Sequence, residues 1–267
     1  VKKLIATTFI LFFIDARAQS VRYPVNVHWL SAGQYGQGFT TPISFAANPA
    51  AFSSSSGFSA SMYTEKKFMI EGLSLLAFSG MFTSLRSAIA LQMQYFGNPD
   101  YNELQAGINY GKSLGKINIG AAVGYNSARI AGFAKEAAIS VQLATVCRLT
   151  DNIYTGLQII NPRITSGGLK MQTASIYKLG FGYMHSSKAY TGFEFYKEED
   201  RPPQVIAAVY YRFAQQFFAR AGFVSGASQL FCGAGWKWKD FQLEVISSQH
   251  PVLGISPGIL FTYQKDN

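Results

Sequence analysis

The residues able to do chemistry are few and far apart. His28, His185 and His250 are the three histidines of the 267-residue chain. His28 falls in an N-terminal segment, His185 in a short turn and His250 in a long loop, so no shared metal site is expected. No H-E-x-x-H, G-x-S-x-G, P-loop or dinucleotide fingerprint occurs, which leaves no enzyme chemistry and no cofactor to expect. Cys147 and Cys232 fall on the same phase of non-adjacent strands. A disulfide requires Cα atoms within about 7 Å, so free, lipid-facing thiols are expected. The run Lys197-Glu198-Glu199-Asp200-Arg201-Pro202-Pro203 reads as a solvated loop tip, because three consecutive acids make no site by themselves. The remaining charges of interest are Lys178, Glu194, Lys237 and Glu244. They share the polar phase of their strands, where each would either tune a pore or need a buried partner.

What positions these residues is a long series of alternating segments. In YNELQAGINYG, Leu104, Ala106, Ile108 and Tyr110 take one phase and Gln105, Gly107 and Asn109 the other. KINIGAAVGYN repeats the pattern after the short SLGK turn, which makes a hairpin. Counting onward to GILFTY, and adding FSASMY, EGLSLLAFSG and SAIALQMQYF upstream, gives about 14 strands, an even number as expected of a single-chain outer-membrane barrel. The turns SLGK, RLTD, HSSK, AQQ and KWKD are short, and they alternate with longer connections such as NSARIAGFAKEA, NPRITSGGLKMQTA and SSQHPVLG. Short turns on one side and longer loops on the other are the pattern of such barrels. One phase carries Tyr177, Leu179, Phe181, Phe193, Trp236 and Phe261; the other carries Gln, Asn, Gly and Ala, which suits a crowded lumen better than bulk water. Aromatics near strand ends, among them Tyr95, Phe96, Tyr110 and Trp238, read as interface girdles.

The composition agrees: 22 Phe and 15 Tyr accompany only 14% charged residues. The opening VKKLIATTFILFFIDARA combines Lys2 and Lys3, an apolar run and Ala16-Arg17-Ala18, as a cleaved signal peptide does. Its removal leaves 20 basic and 13 acidic side chains, without a Lys/Arg block that would suggest nucleic acid. The expected organisation is a signal peptide over residues 1–18, an N-terminal plug over 19–56 and a barrel over 57–267. The fold class is all-β: a transmembrane antiparallel up-and-down barrel of the outer membrane, monomeric, with an N-terminal lumen plug and lipid around it. Gly33, Gly36 and Gly38 would let the plug backbone lie close to the wall, and Pro49 biases Asn48 towards an extended entry into the first strand, with Ala50 following.

The stretch SAGQYGQGFTTPISFAANPAAF followed by strands resembles the start of the PorV/PorQ-like branch of the fatty-acid-transporter (FadL) barrel superfamily, found with type IX secretion in Bacteroidetes. YFGNPDYNELQAGINYGKSLGKINIGAAVGYNSARI, LTDNIYTGLQIINP and FQLEVISSQHPVLGISPGILFTY resemble the same family. The resemblance implies a barrel whose N-terminal segment enters the lumen. It also implies a non-enzymatic accessory of protein secretion or surface attachment, holding a periplasmic or cell-surface partner. The alternative it leaves open is a channel for small hydrophobic molecules gated by the N-terminal segment.

Overall fold

The computed structural model describes residues 34–36, 40–52, 56–133, 135–162, 174–199, 201–226 and 228–265. The signal-peptide reading of residues 1–18, together with His28, Gly33, Gly38 and Asp200, lies outside them. Among the described residues, fourteen antiparallel strands close into one barrel in sequence order, and β1 pairs with β14 to complete the ring. They are β1 (Gly57–Lys66), β2 (Ser74–Ser84), β3 (Ser87–Gly97), β4 (Tyr101–Ser113), β5 (Ile117–Ile130), β6 (Glu136–Arg148), β7 (Ile153–Ile160), β8 (Ile176–Ser186), β9 (Ala189–Glu198), β10 (Gln204–Arg212), β11 (Phe217–Val224), β12 (Gln229–Trp238), β13 (Phe241–His250) and β14 (Gly254–Gln264). Closure matters physically, because an open edge in hydrocarbon would leave backbone N–H and C=O groups unsatisfied at several kcal/mol each. At the β1–β14 seam the Ser61 and Thr262 hydroxyls share a hydrogen bond of 2.9 Å across the ladder.

The two phases separate cleanly. Ile108, Tyr110, Val123, Leu143, Phe181, Phe193, Trp236 and Phe261 face outward, whereas Asn109, Gln142, Gln158, Lys178, Glu194 and Glu244 are buried inside. Cys147 and Cys232 are free thiols on the outward phase of β6 and β12. Phe96 departs from the girdle reading, since it turns inward and packs against a lumen cluster that includes Leu75, Ile206, Val224 and Ile246.

The connections differ more from expectation than the strands do. The two-residue turns 85–86, 187–188 and 239–240 mark one end of the barrel. At the other end two of the long loops shrink, because strands run on into them: β5 continues to Ile130, and β13 continues to His250, leaving only residues 251–253 as a turn, while most of the NPRITSGGLKMQTA connection lies outside the described residues. His250 is therefore a strand residue; its Nδ1 accepts from the backbone N–H groups of Val252 (3.2 Å) and Leu253 (3.1 Å) and closes that turn. His185 likewise lies in β8 rather than in a turn, within 2.9 Å of the Thr191 hydroxyl. Glu198 is buried at the end of β9 and pairs with Arg201 at 3.3 Å, so the acidic run is not simply a solvated tip.

Among the described residues, β6 reaches beyond its neighbour β7. β7 pairs with β6 only from Gln142 to Arg148, so residues 136–141 of β6 run past the end of β7. Asn161, with φ of 52°, turns the chain away there. Its backbone N–H donates to Val141 O at 2.7 Å, and its Oδ1 accepts from Val141 N–H at 3.1 Å, supplying a last rung from a side chain.

Inside the barrel lies α1 (Pro42–Ala47). Pro42 occupies its first turn, where a missing N–H costs nothing. Thr41 caps it reciprocally: Thr41 Oγ1 accepts from Ser44 N–H at 3.3 Å, and Thr41 N–H donates to Ser44 Oγ at 3.1 Å. The helix ends at Asn48, which is extended (φ −143°, ψ 106°) ahead of Pro49.

Candidate functional site

The site is the contact between the N-terminal segment and the inner wall. Three groups of wall side chains hold α1. Ser79 Oγ on β2 donates to Pro42 O at 3.0 Å. Asn109 Nδ2 on β4 donates to Phe45 O (2.8 Å) and Ala46 O (3.2 Å), and Gln158 Nε2 on β7 donates to Ala47 O at 2.7 Å. The wall amides thus satisfy the C-terminal carbonyls that a helix leaves without partners. Phe45 and Phe52 meet edge to face at 5.8 Å beside Met81, Ala88 and Ala90. Asn48 Oδ1 accepts from Ala50 N–H at 3.0 Å, and Asn118 Nδ2 on β5 donates to Ala50 O at 3.3 Å.

Missing side chains in the wall make room for this segment. A Cβ on Gly120 would stand 2.2 Å from Pro49 C, and one on Gly111 would stand 2.5 Å from Pro49 O. Next to Ala50, in the same buried cluster, Tyr35 meets two more glycines: a Cβ on Gly180 would come within 1.9 Å of Tyr35 Cζ, and one on Gly156 within 2.9 Å of Tyr35 Cε1. Tyr35 is therefore seated in a niche of β7 and β8 and is fully buried. Its hydroxyl donates to Glu194 Oε2 at 2.9 Å, and Glu194 Oε1 lies 3.6 Å from Lys178 Nζ. Burial first, and the Glu194 carboxylate second, push the Tyr35 phenol well above its ordinary value, so it stays protonated and donates. Beside it Gly36 packs on the Tyr190 ring, 2.6 Å from Cε2 to the place a Cβ would take.

Of the inward charges singled out from sequence, Lys178 and Glu194 meet, and Tyr35 of the N-terminal segment joins them. Glu244 finds a different partner: Arg220 on β11, with Nε 2.5 Å from Oε1 and Nη2 2.9 Å from Oε2, a bidentate pair reaching across β12 over Gly233 and Gly235. Lys237 is half-buried near the short-turn end of β12 and belongs to neither pair. Sequence reading missed Arg220, although it alternates in phase with buried Phe218. Tyr35, Asn109, Asn118 and Gln158 were missed as well, and only the phase of the last three could have pointed to them.

Between the segment and the wall at the short-turn end, beside Gln34, Ala51, Asn118 and Tyr154, a cavity of about 10 Å³ remains. That is the space of a single water. Among the described residues no group of three or more His, Cys, Asp or Glu side chains could hold a metal.

The fold is that of an outer-membrane-type β-barrel. No protein-family model and no curated protein sequence matches the chain. Among solved structures, the Pseudomonas putida toluene transporter TodX is similar with a TM-score of 0.60 and 10% identity, over 87% of this chain and 95% of that one. The Acinetobacter baumannii outer-membrane protein Omp33 is similar with a TM-score of 0.54 and 8% identity, over 78% of this chain and 98% of that one. At such identities the likeness is one of fold.

Proposed function

We propose that the protein is a non-enzymatic barrel of the outer membrane, exported through cleavage of residues 1–18, in which the N-terminal segment gates a passage for small hydrophobic molecules. The observation that carries this reading is the seat itself. Residues 34–36 and 40–52 occupy the lumen through hydrogen bonds and glycine-lined contacts, with a cavity of about 10 Å³ beside them at the short-turn end. On this reading passage requires the segment to move, and residues 34–52 contain no cysteine that could fix them covalently. The apolar lumen cluster around Leu75, Ile206 and Ile246 supplies the apolar interior such a route would need, and the end of the β6–β7 ladder is our candidate for its exit. The fold likeness to a toluene transporter supports the same class of cargo.

The test is uptake of a hydrophobic probe by proteoliposomes carrying the full chain or a variant lacking residues 34–50. Gating predicts at least a tenfold faster uptake for the deletion; equal rates overturn it.

A second reading keeps the segment as a fixed part of an accessory for type IX secretion or surface attachment, as the family resemblance implies. The bidentate Arg220–Glu244 pair, which ties β11 to β13 across the lumen face of β12, favours a rigid interior of that kind. Co-purification of a secretion partner from native outer membranes, with uptake unaffected by the deletion, would establish it over the first.

A further inference from the structure

The outer surface of the barrel is not evenly convex. Across β4, β5, β6 and β7 the outward residues of two ladder rows are Tyr110, Ala121, Leu143 and Ile159, and Lys112, Ile119, Thr145 and Leu157. Ala121 and Thr145 are small, and around them the larger side chains enclose a concavity of about 500 Å³. That lies within the range of ligand-sized clefts, about 300–1,000 Å³. Its lining is largely apolar, with the hydroxyl-bearing Tyr110 and Thr145 among it, and at one edge Lys112 stands next to the end of β4 at the short-turn end. Among the described residues Lys112 Nζ has no ion-pair partner.

The charges at the two ends are unequal. At the short-turn end Arg86, Lys112, Lys116, Lys188, Lys239 and Lys265 are exposed, against Asp151 as exposed acid. At the opposite end, among the described residues, exposed Glu71, Asp100 and Glu136 are mixed with Lys66, Arg129, Lys135 and Lys197. Short turns mark the periplasmic side of such barrels. The basic rim therefore stands at the headgroup level of the inner leaflet, where each exposed Lys or Arg attracts anionic lipid.

We infer that this groove is a binding site for an anionic phospholipid of the inner leaflet: one acyl chain lies over Ala121 and Thr145, and the headgroup phosphate meets Lys112 Nζ. The site has both parts that such a ligand requires, a largely apolar hollow spanning β4 to β7 and a cation at its interfacial edge. A second copy of the chain fits the same face less well. Two copies inserted in the same sense bring basic rim against basic rim.

Native mass spectrometry of the full chain released from nanodiscs of phosphatidylglycerol and phosphatidylethanolamine tests this, with circular dichroism to confirm that each variant remains a β-barrel. The wild type should retain phosphatidylglycerol in preference to phosphatidylethanolamine. Lys112→Ala should weaken that retention about fivefold. Ala121→Phe, which fills the trough, should abolish it. Lys188→Ala, on the same rim but away from the groove, should leave it unchanged. Retention unaltered in both groove variants, equal loss in Lys188→Ala, or a protein dimer that Ala121→Phe splits in place of bound lipid would each overturn the assignment.

Discussion

Replacing Gly180 by alanine should lift the N-terminal segment off the wall without opening the barrel. The added Cβ would stand 1.9 Å from Tyr35 Cζ, 2.0 Å from Cε2 and 2.4 Å from Cε1. Carbon atoms in contact prefer about 3.5–4.0 Å, so the ring has to retreat by roughly 2 Å. The Tyr35–Glu194 hydrogen bond, 2.9 Å long, then exceeds any bonding distance. A hydrogen bond to a charged group contributes about 1.5–3 kcal/mol, and its loss leaves a buried carboxylate oxygen without its donor. The unseated state should therefore become about 10- to 100-fold more populated. Ala46 is 4% exposed, and it gives a reporter when changed to cysteine in a chain whose Cys147 and Cys232 are replaced by serine. The rate of labelling by a membrane-impermeant thiol reagent then follows the unseated population. Tyr35→Phe should raise the rate about tenfold, since it loses the hydrogen bond but keeps the ring. Tyr35→Ala combined with Gly180→Ala should fall short of the sum of the single changes, because no ring remains to clash. If Gly180→Ala labels at the wild-type rate while its circular dichroism remains that of the barrel, the niche does not hold the segment and the reasoning fails.

Arg220→Met should destabilise the barrel by about 3–5 kcal/mol, because Glu244 is left buried without its partner. Adding Glu244→Gln should restore most of that loss; urea unfolding in detergent reads both, and a single variant as stable as wild type would refute the pairing. Seating should also respond to pH in one direction. The Tyr35 pKa is raised, so its contribution is complete below the ordinary tyrosine value and is lost as pH climbs through the raised one. Labelling of the Ala46→Cys reporter should stay flat from neutral pH to about 10 and rise only above it; a rise near pH 8 would contradict the protonated donor. Asn109→Ala removes two bonds to the end of α1 and should raise labelling about tenfold at any pH in that range.

The strands were legible because lipid and lumen impose a period of two through most of each strand. Asn126 of β5 still turns inward, yet Ser127 and Ala128 are buried beside it, so the alternation loses meaning where the strand approaches its end. The loops were less legible, because the ladder continues through residues such as Arg129 and Gln249 that resemble loop sequence. For the inward charges, type and phase could be read while partners could not. Glu244 faces Gly235 in its own ladder, and its true partner sits two strands away, a relation set by strand stagger and by a glycine that leaves the way clear. Tyr35 carried no signal at all. It belongs to a stretch without periodicity, and its niche is defined only once β7 and β8 lie side by side.

The seat of Tyr35 depends on strands made much later than the residue it holds. Tyr35 and Glu194 are 159 residues apart. During synthesis Tyr35 is made long before Glu194, and the residues of α1 long before Gln158. Their seat exists only once β7, β8 and β9 stand side by side, and closing so long a loop costs entropy that only the finished niche offsets. The segment therefore takes its place late, so the barrel either closes around a threaded end or admits it afterwards.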